Sequence, residues 1–133
     1  GRIAGYNFAG IMDRVNIGNE VVTIIDYKTT KKSKSGDQAR KDLQMGIYYK
    51  LAKENLDSKK ILLRLIYLRV PKQVDFEISD KDYEKIECKI TNLIDRILSE
   101  TKYEPNEGFL CNWCYYWEEC PAKTGTNPYI FKK

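Results

Sequence analysis

The 133 residues, 42% apolar and 32% charged, suffice for one globular core under a solvated surface. No run of about eighteen apolar residues occurs, and the opening Gly1-Arg2-Ile3-Ala4-Gly5 has neither an initiator methionine nor a signal-peptide pattern. The expectation is a cytoplasmic protein with no membrane partner, cut from a longer chain. Histidine is absent, which excludes Ser-His and Cys-His nucleophile arrangements, so any hydrolytic chemistry has to run on carboxylates, lysine and a metal.

In chain order, residues 6–17 and 21–29 are rich in β-branched and aromatic types and flank Gly18-Asn19, which predicts a β-hairpin. Gly10 inside the first run marks either a bulge or a close backbone approach. A polar stretch at 31–36 leads into a predicted helix from Asp37, its N-cap, to Leu56, with Leu43, Ile47, Tyr48 and Leu51 on one face. Residues 61–70 read as a central strand ended by Pro71, and 74–78 as a returning strand. Ser79, with Asp82 three residues on, opens a long amphipathic helix to about Thr101. Its stripe is Ile86, Ile90, Leu93, Ile94 and Ile97. Beyond Lys102, Pro105, Gly108, Pro121, Gly125 and Pro128 break any long helix. The expected fold is α/β, a mixed central sheet flanked by helices over residues 1–102, followed by a cysteine-rich segment over 103–133.

The net charge of +4 is carried entirely by residues 26–41, where Lys28, Lys31, Lys32, Lys34, Arg40 and Lys41 stand against Asp26 and Asp37. A positive field so concentrated either attracts phosphate backbone or is a plain solvated loop.

With a two-residue hairpin loop, Ile17 faces Glu20 and Asp13 lies opposite Ile24, one diagonal step from Asp26. The pleat then puts Asp13, Ile24, Asp26 and Lys28 on one face. A four-residue loop keeps that parity, whereas a three-residue loop separates the carboxylates. Two converging carboxylates call for a hard cation, Mg²⁺ or Mn²⁺, which polarises a phosphoryl oxygen and acidifies a bound water. The plain alternative is an Asp26–Lys28 pair at a strand end, with Asp13 paired to Arg14 or Arg40. Three of the four cysteines, Cys111, Cys114 and Cys120, fall within ten residues, which favours a metal or cluster site over disulfides. Unligated core cysteines are the alternative.

Gly10-Ile-Met-Asp13-Arg14, then Ile24-Ile-Asp26-Tyr-Lys28-Thr, then Gln44-Met-Gly-Ile-Tyr48 resemble the G-x-x-D-R, D-Y-K-T and Q-x-x-x-Y motifs of the RecB-like branch of the PD-(D/E)xK nucleases. The resemblance implies a restriction-endonuclease-like core and a metal-dependent DNA nuclease of repair or recombination. Asp13, Asp26 and the Tyr27 backbone carbonyl would be metal ligands and Lys28 the catalytic lysine. Gln44 and Tyr48 would support the site or DNA, although by their spacing alone they could equally be a surface amide and a half-buried ring. Lys31, Lys32, Lys34, Arg40 and Lys41 would hold the backbone of a single-stranded or end-bearing DNA, with a helicase fused or bound. Cys111-x2-Cys114-x5-Cys120 is similar to the cysteine triplet of the AddB-like and CRISPR spacer-acquisition nucleases. That likeness implies a [4Fe–4S] cluster whose fourth cysteine lies upstream; Cys88 reads as an ordinary helix residue, and zinc is the other occupant. The family normally has a helix before these strands carrying a further acidic or histidine residue, and nothing in this chain matches it. Two other readings remain: an inactive DNA-binding scaffold of the same fold, and a zinc-stabilised interaction module.

Overall fold

The computed structural model describes residues 1–56 and 60–127. It divides into two compact units, Gly1–Ile97 and Leu98–Lys133. In the first, a two-stranded ribbon, β1 (Arg2–Ile3) and β2 (Tyr6–Asn7), precedes a four-stranded sheet. That sheet contains β3 (Arg14–Ile17), β4 (Val21–Lys28), β5 (Lys60–Tyr67) and β6 (Lys72–Phe76), in chain order across the sheet. β4 and β5 are parallel, and the two outer pairs are antiparallel. The connection from β4 to β5 carries α1 (Gly36–Ala39) and α2 (Leu43–Asn55), and α3 (Asp80–Ser99) follows β6. A parallel pair needs such a helical crossover, because its strands start at the same end.

The core lies on the helix-covered face of the sheet. Val22 and Ile24 of β4, and Ile61, Leu63, Leu65 and Tyr67 of β5, point into it at period two and are all buried. Met45, Tyr48, Tyr49 and Ala52 of α2 close over them, joined by Tyr83, Ile86 and Ile90 of α3. The α3 stripe is therefore core only in its first half: Leu93 and Ile97 are exposed, and Ile94 is partly buried.

Several expectations are corrected, and two open alternatives are settled. The first predicted strand does not run from 6 to 17. Residues 6–7 pair with 2–3, and 8–13 leave the sheet because their backbone is drawn to α2, where the Tyr48 hydroxyl donates to the Ile11 carbonyl at 2.6 Å. Gly10 is a close approach and not a bulge: a Cβ there would stand 3.2 Å from both Leu51 and Tyr48. Of the turn lengths weighed for the hairpin, the structure takes the wider one that keeps parity. Ile17 faces Val22, a two-residue shift that preserves parity.

The predicted helix over 37–56 is two helices. Ser35, not Asp37, caps the first, accepting from Gln38 N while the Gln38 side chain accepts from Ser35 N. Asp42 caps the second by accepting from Met45 N at 3.1 Å, so the chain restarts there. Finally, β5 stops at Tyr67, since residues 68–71 are needed to turn the chain so that Lys72 can face Tyr67. Ser79 does open α3, exchanging hydrogen bonds with Asp82.

Gly46 is where α2 passes α3, and a Cβ there would lie 2.5 Å from Ile86 Cγ2 and 3.0 Å from its Cδ1. Alanine gains about 1 kcal/mol of helix propensity, but overpacking a fully buried isoleucine costs about 1–3 kcal/mol. Gly46→Ala should therefore destabilise by about 1 kcal/mol, read as a lowered urea midpoint with an unchanged slope. A variant as stable as the parent would show that the helices have room to separate.

In the second unit, a 3₁₀ turn at Phe109–Trp113 carries Cys111 and leads to Cys114. The buried Asn127 amide donates to the carbonyls of Cys111 (3.3 Å) and Cys114 (2.9 Å). Asn112 accepts from Thr126 N at 2.9 Å. No helix among the described residues is long and apolar enough to cross a membrane.

Candidate metal and catalytic site at the end of the fourth strand

The apolar face of β4 runs Val22, Ile24, and then, at the next inward position, Asp26. This carboxylate is 3% exposed, the one buried acid among the described residues. Two residues further, still on that face, Lys28 brings its ammonium to 2.8 Å from Asp26 Oδ2. This ion pair is the contact that Oδ2 makes. A buried carboxylate is costly unless a cation faces it, and here the Lys28 ammonium does.

Extending the register of β3 on β4 by one step sets Asp13 against Asp26, directly opposite where a diagonal placement was expected. Asp13 lies just before β3, and its Oδ2 accepts from Tyr27 N at 2.9 Å, so its carboxylate is tied to the backbone between Asp26 and Lys28. Asp13 is exposed.

From Lys28 the contacts continue into α2. The ammonium donates to Gln44 Oε1 (2.7 Å), Gln44 Nε2 donates to the Tyr48 hydroxyl (3.0 Å), and that hydroxyl donates to Ile11 O (2.6 Å). Ile11 precedes Asp13 by two residues, so the three stretches meet in one connected set. Gln44 and Tyr48 can do this because residues four apart on a helix share a face. Gln44 is exposed and Tyr48 is buried.

Burial pulls the Lys28 pKa down, but the contact with Asp26 and the charges of Asp26, Asp42 and Tyr48 outweigh it, so the value stands above the ordinary 10.5. The lysine is a fixed cation at neutral pH. Burial likewise pushes Asp42 up, yet its bond to Lys34, the Met45 N–H and the charges of Lys34 and Lys28 bring it below 3.8.

The basic stretch is not a uniform patch. Lys34 is bound to Asp42, and Arg40 pairs with Asp37 at 2.6 Å; Lys31, Lys32 and Lys41 are exposed. Asp42 was missed by the sequence reading, although an aspartate three residues before a helical N–H is a capping signal in its own right.

The expected divalent cation fits what is present. Asp13 and Asp26 offer hard oxygen donors at facing positions of the hairpin, and Asp26 is buried against the Lys28 ammonium. The tail differs. Cys111, Cys114 and Cys120 are free, half-buried thiols. Among the described residues no three His, Cys, Asp or Glu side chains gather as a set able to hold a metal.

No curated protein sequence matches this chain. The solved structure of SSO0001 is similar at a TM-score of 0.43 and 21% identity, covering 86% of this chain and 50% of that one. This chain thus spans about half the length of that protein. The family model described as the PD-(D/E)XK nuclease superfamily matches residues 1–121. With a mixed four-stranded sheet flanked by helices and that match over most of its length, the chain belongs to the PD-(D/E)XK nuclease superfamily.

Proposed function

We propose that this chain is the catalytic core of a RecB-like, Mg²⁺- or Mn²⁺-dependent deoxyribonuclease serving DNA repair or recombination. The observation that carries the reading is the connected set from Asp26 through Lys28, Gln44 and Tyr48 to Ile11, which ties all three motif-like stretches to the carboxyl end of β4. Ligands of α/β sheets sit at the carboxyl ends of parallel strands.

In this reading Asp13, Asp26 and the Tyr27 carbonyl would hold the divalent ion, which when bound supplies Lewis acidity and an acidified water. Tyr27 N–H holds the Asp13 carboxylate in place. The Lys28 ammonium neutralises charge that develops on the phosphoryl group, and Gln44 keeps it from swinging out to solvent. Lys31, Lys32 and Lys41 are the exposed cations for backbone phosphate, while Lys34 and Arg40 are ion-paired to Asp42 and Asp37. Recognition on this basis is of backbone and strand ends more than of sequence. Iron–sulfur or zinc ligation by Cys111, Cys114 and Cys120, and a fused or bound helicase, rest on the resemblance and the cysteine spacing alone.

The test is a titration of Mg²⁺ and Mn²⁺ with end-labelled single- and double-stranded DNA. Cleavage that appears with the metal and stops with a chelator is expected. Metal-independent binding with intact DNA would replace the reading with a non-catalytic DNA-binding domain.

A further inference from the structure

Seven residues, 29–35, join β4 to α1 immediately after Lys28. A polar loop of this kind, rich in lysine, would ordinarily be held by water. Here three elements reach in to hold it. From β5, the Tyr67 hydroxyl accepts from the Lys34 backbone N–H at 2.8 Å. From the start of α2, Asp42 binds the Lys34 ammonium. From β6, Lys72 Nζ donates to Ser33 Oγ at 2.9 Å. Within the loop, Thr30 Oγ1 donates to the Lys32 carbonyl at 3.1 Å.

Tyr67 is the informative member. It is 3% exposed and continues the buried row Ile61, Leu63, Leu65, where an apolar side chain would fill the core as well. Its one polar atom meets the loop backbone, and its own register partner across the parallel pair is Lys28. The strand that lies beside the candidate site thus also fixes the segment that follows it. Anchoring at Ser33 and Lys34 leaves Lys31 and Lys32 exposed between β4 and the anchors.

We propose that Tyr67 is a positioning residue for DNA binding: by clamping Lys34, with Asp42 as the second jaw, it holds the 29–35 loop so that Lys31 and Lys32 present two ammonium groups to backbone phosphates beside the site. The proposal rests on the nuclease reading above for its ligand. A preorganised pair of cations binds better than a mobile pair because ordering the loop is not charged against each binding event.

The test uses the full chain with Tyr67→Phe, which removes one oxygen and leaves the ring in the core. Loss of one such hydrogen bond corresponds to roughly a fivefold effect. In the absence of DNA, trypsin cleavage after Lys31 and Lys32 should accelerate roughly fivefold. With a labelled oligonucleotide, KM and the metal-free Kd should rise by about the same factor, with kcat unchanged. Lys31→Gln/Lys32→Gln should weaken binding and lower the salt dependence of log Kd by about two. Adding Tyr67→Phe to that double variant should then change nothing further.

Unchanged trypsin sensitivity in Tyr67→Phe overturns the clamp. Faster proteolysis with unaltered DNA affinity, or an effect that adds fully to the lysine substitutions, overturns its role in binding. If the parent chain neither binds nor cuts DNA, the nuclease reading fails, and the trypsin comparison still decides whether the clamp exists.

Discussion

Asp26→Asn is expected to lower metal-dependent DNA cleavage by about a thousandfold or more while leaving the fold in place. Asparagine matches aspartate in volume, so the end of β4 keeps its packing against the core. What is lost is the charge of the one buried acid among the described residues. A second readout separates loss of chemistry from loss of metal. If Asp26 is a ligand, saturating Mn²⁺ should raise the parent's Tm by several degrees and leave that of Asp26→Asn unmoved. Circular dichroism checks the fold of both. Cleavage at the parental rate by a well-folded Asp26→Asn protein would remove Asp26 from the site.

Lys28→Met should cost activity to a similar degree, and it should also cost stability. The ammonium at 2.8 Å is the group that faces the buried Asp26 carboxylate, and its side chain is itself only 23% exposed. Removing one partner of a buried pair leaves an uncompensated charge, at a cost of about 3 kcal/mol, or roughly 10 °C in Tm for a domain of this size. The sign of the companion experiment is opposite. Asp26→Leu/Lys28→Met removes both charges and should recover most of the lost stability while remaining inactive. Divalent metal should stabilise Lys28→Met more than the parent, since the ion takes over the neutralising role. Equal stability of Lys28→Met and the parent in metal-free buffer would mean that solvent reaches Asp26 freely. An active Lys28→Met enzyme would exclude the lysine from the chemistry.

These expectations draw on two kinds of information. The β-branched and aromatic content of 21–28 and the apolar run of 61–67 made β4 and β5 visible before any coordinates, because such residues suit a pleated, largely buried surface. Hairpin parity placed Asp13 and Asp26 in neighbouring positions for a turn of either two or four residues, since an even shift moves no side chain to the other face. The start of α3 was equally local, a serine and an aspartate satisfying the first turn.

The break between α1 and α2 was harder to see. Asp37 and Asp42 both have the chemistry of a cap, and apolar spacing runs through the gap without interruption. Asp42 is selected by a partner that periodicity does not contain, the Lys34 ammonium eight residues away. The same holds for residues 8–13, whose strand-like composition lost to Tyr48 and Leu51 of a distant helix.

Local order along the chain determined which residue types were available, two aspartates and a lysine at strand spacing and a glutamine and tyrosine one helical turn apart. Only the tertiary structure decided that Asp26 is buried against the Lys28 ammonium, that Lys34 is ion-paired to Asp42 across the loop while Lys31 and Lys32 are exposed, and that Tyr67 reaches the loop after Lys28. The reason is physical. Periodicity and capping are set by neighbours within a turn or a pleat, whereas burial and ion pairing are set by segments that sequence distance keeps apart and packing brings together.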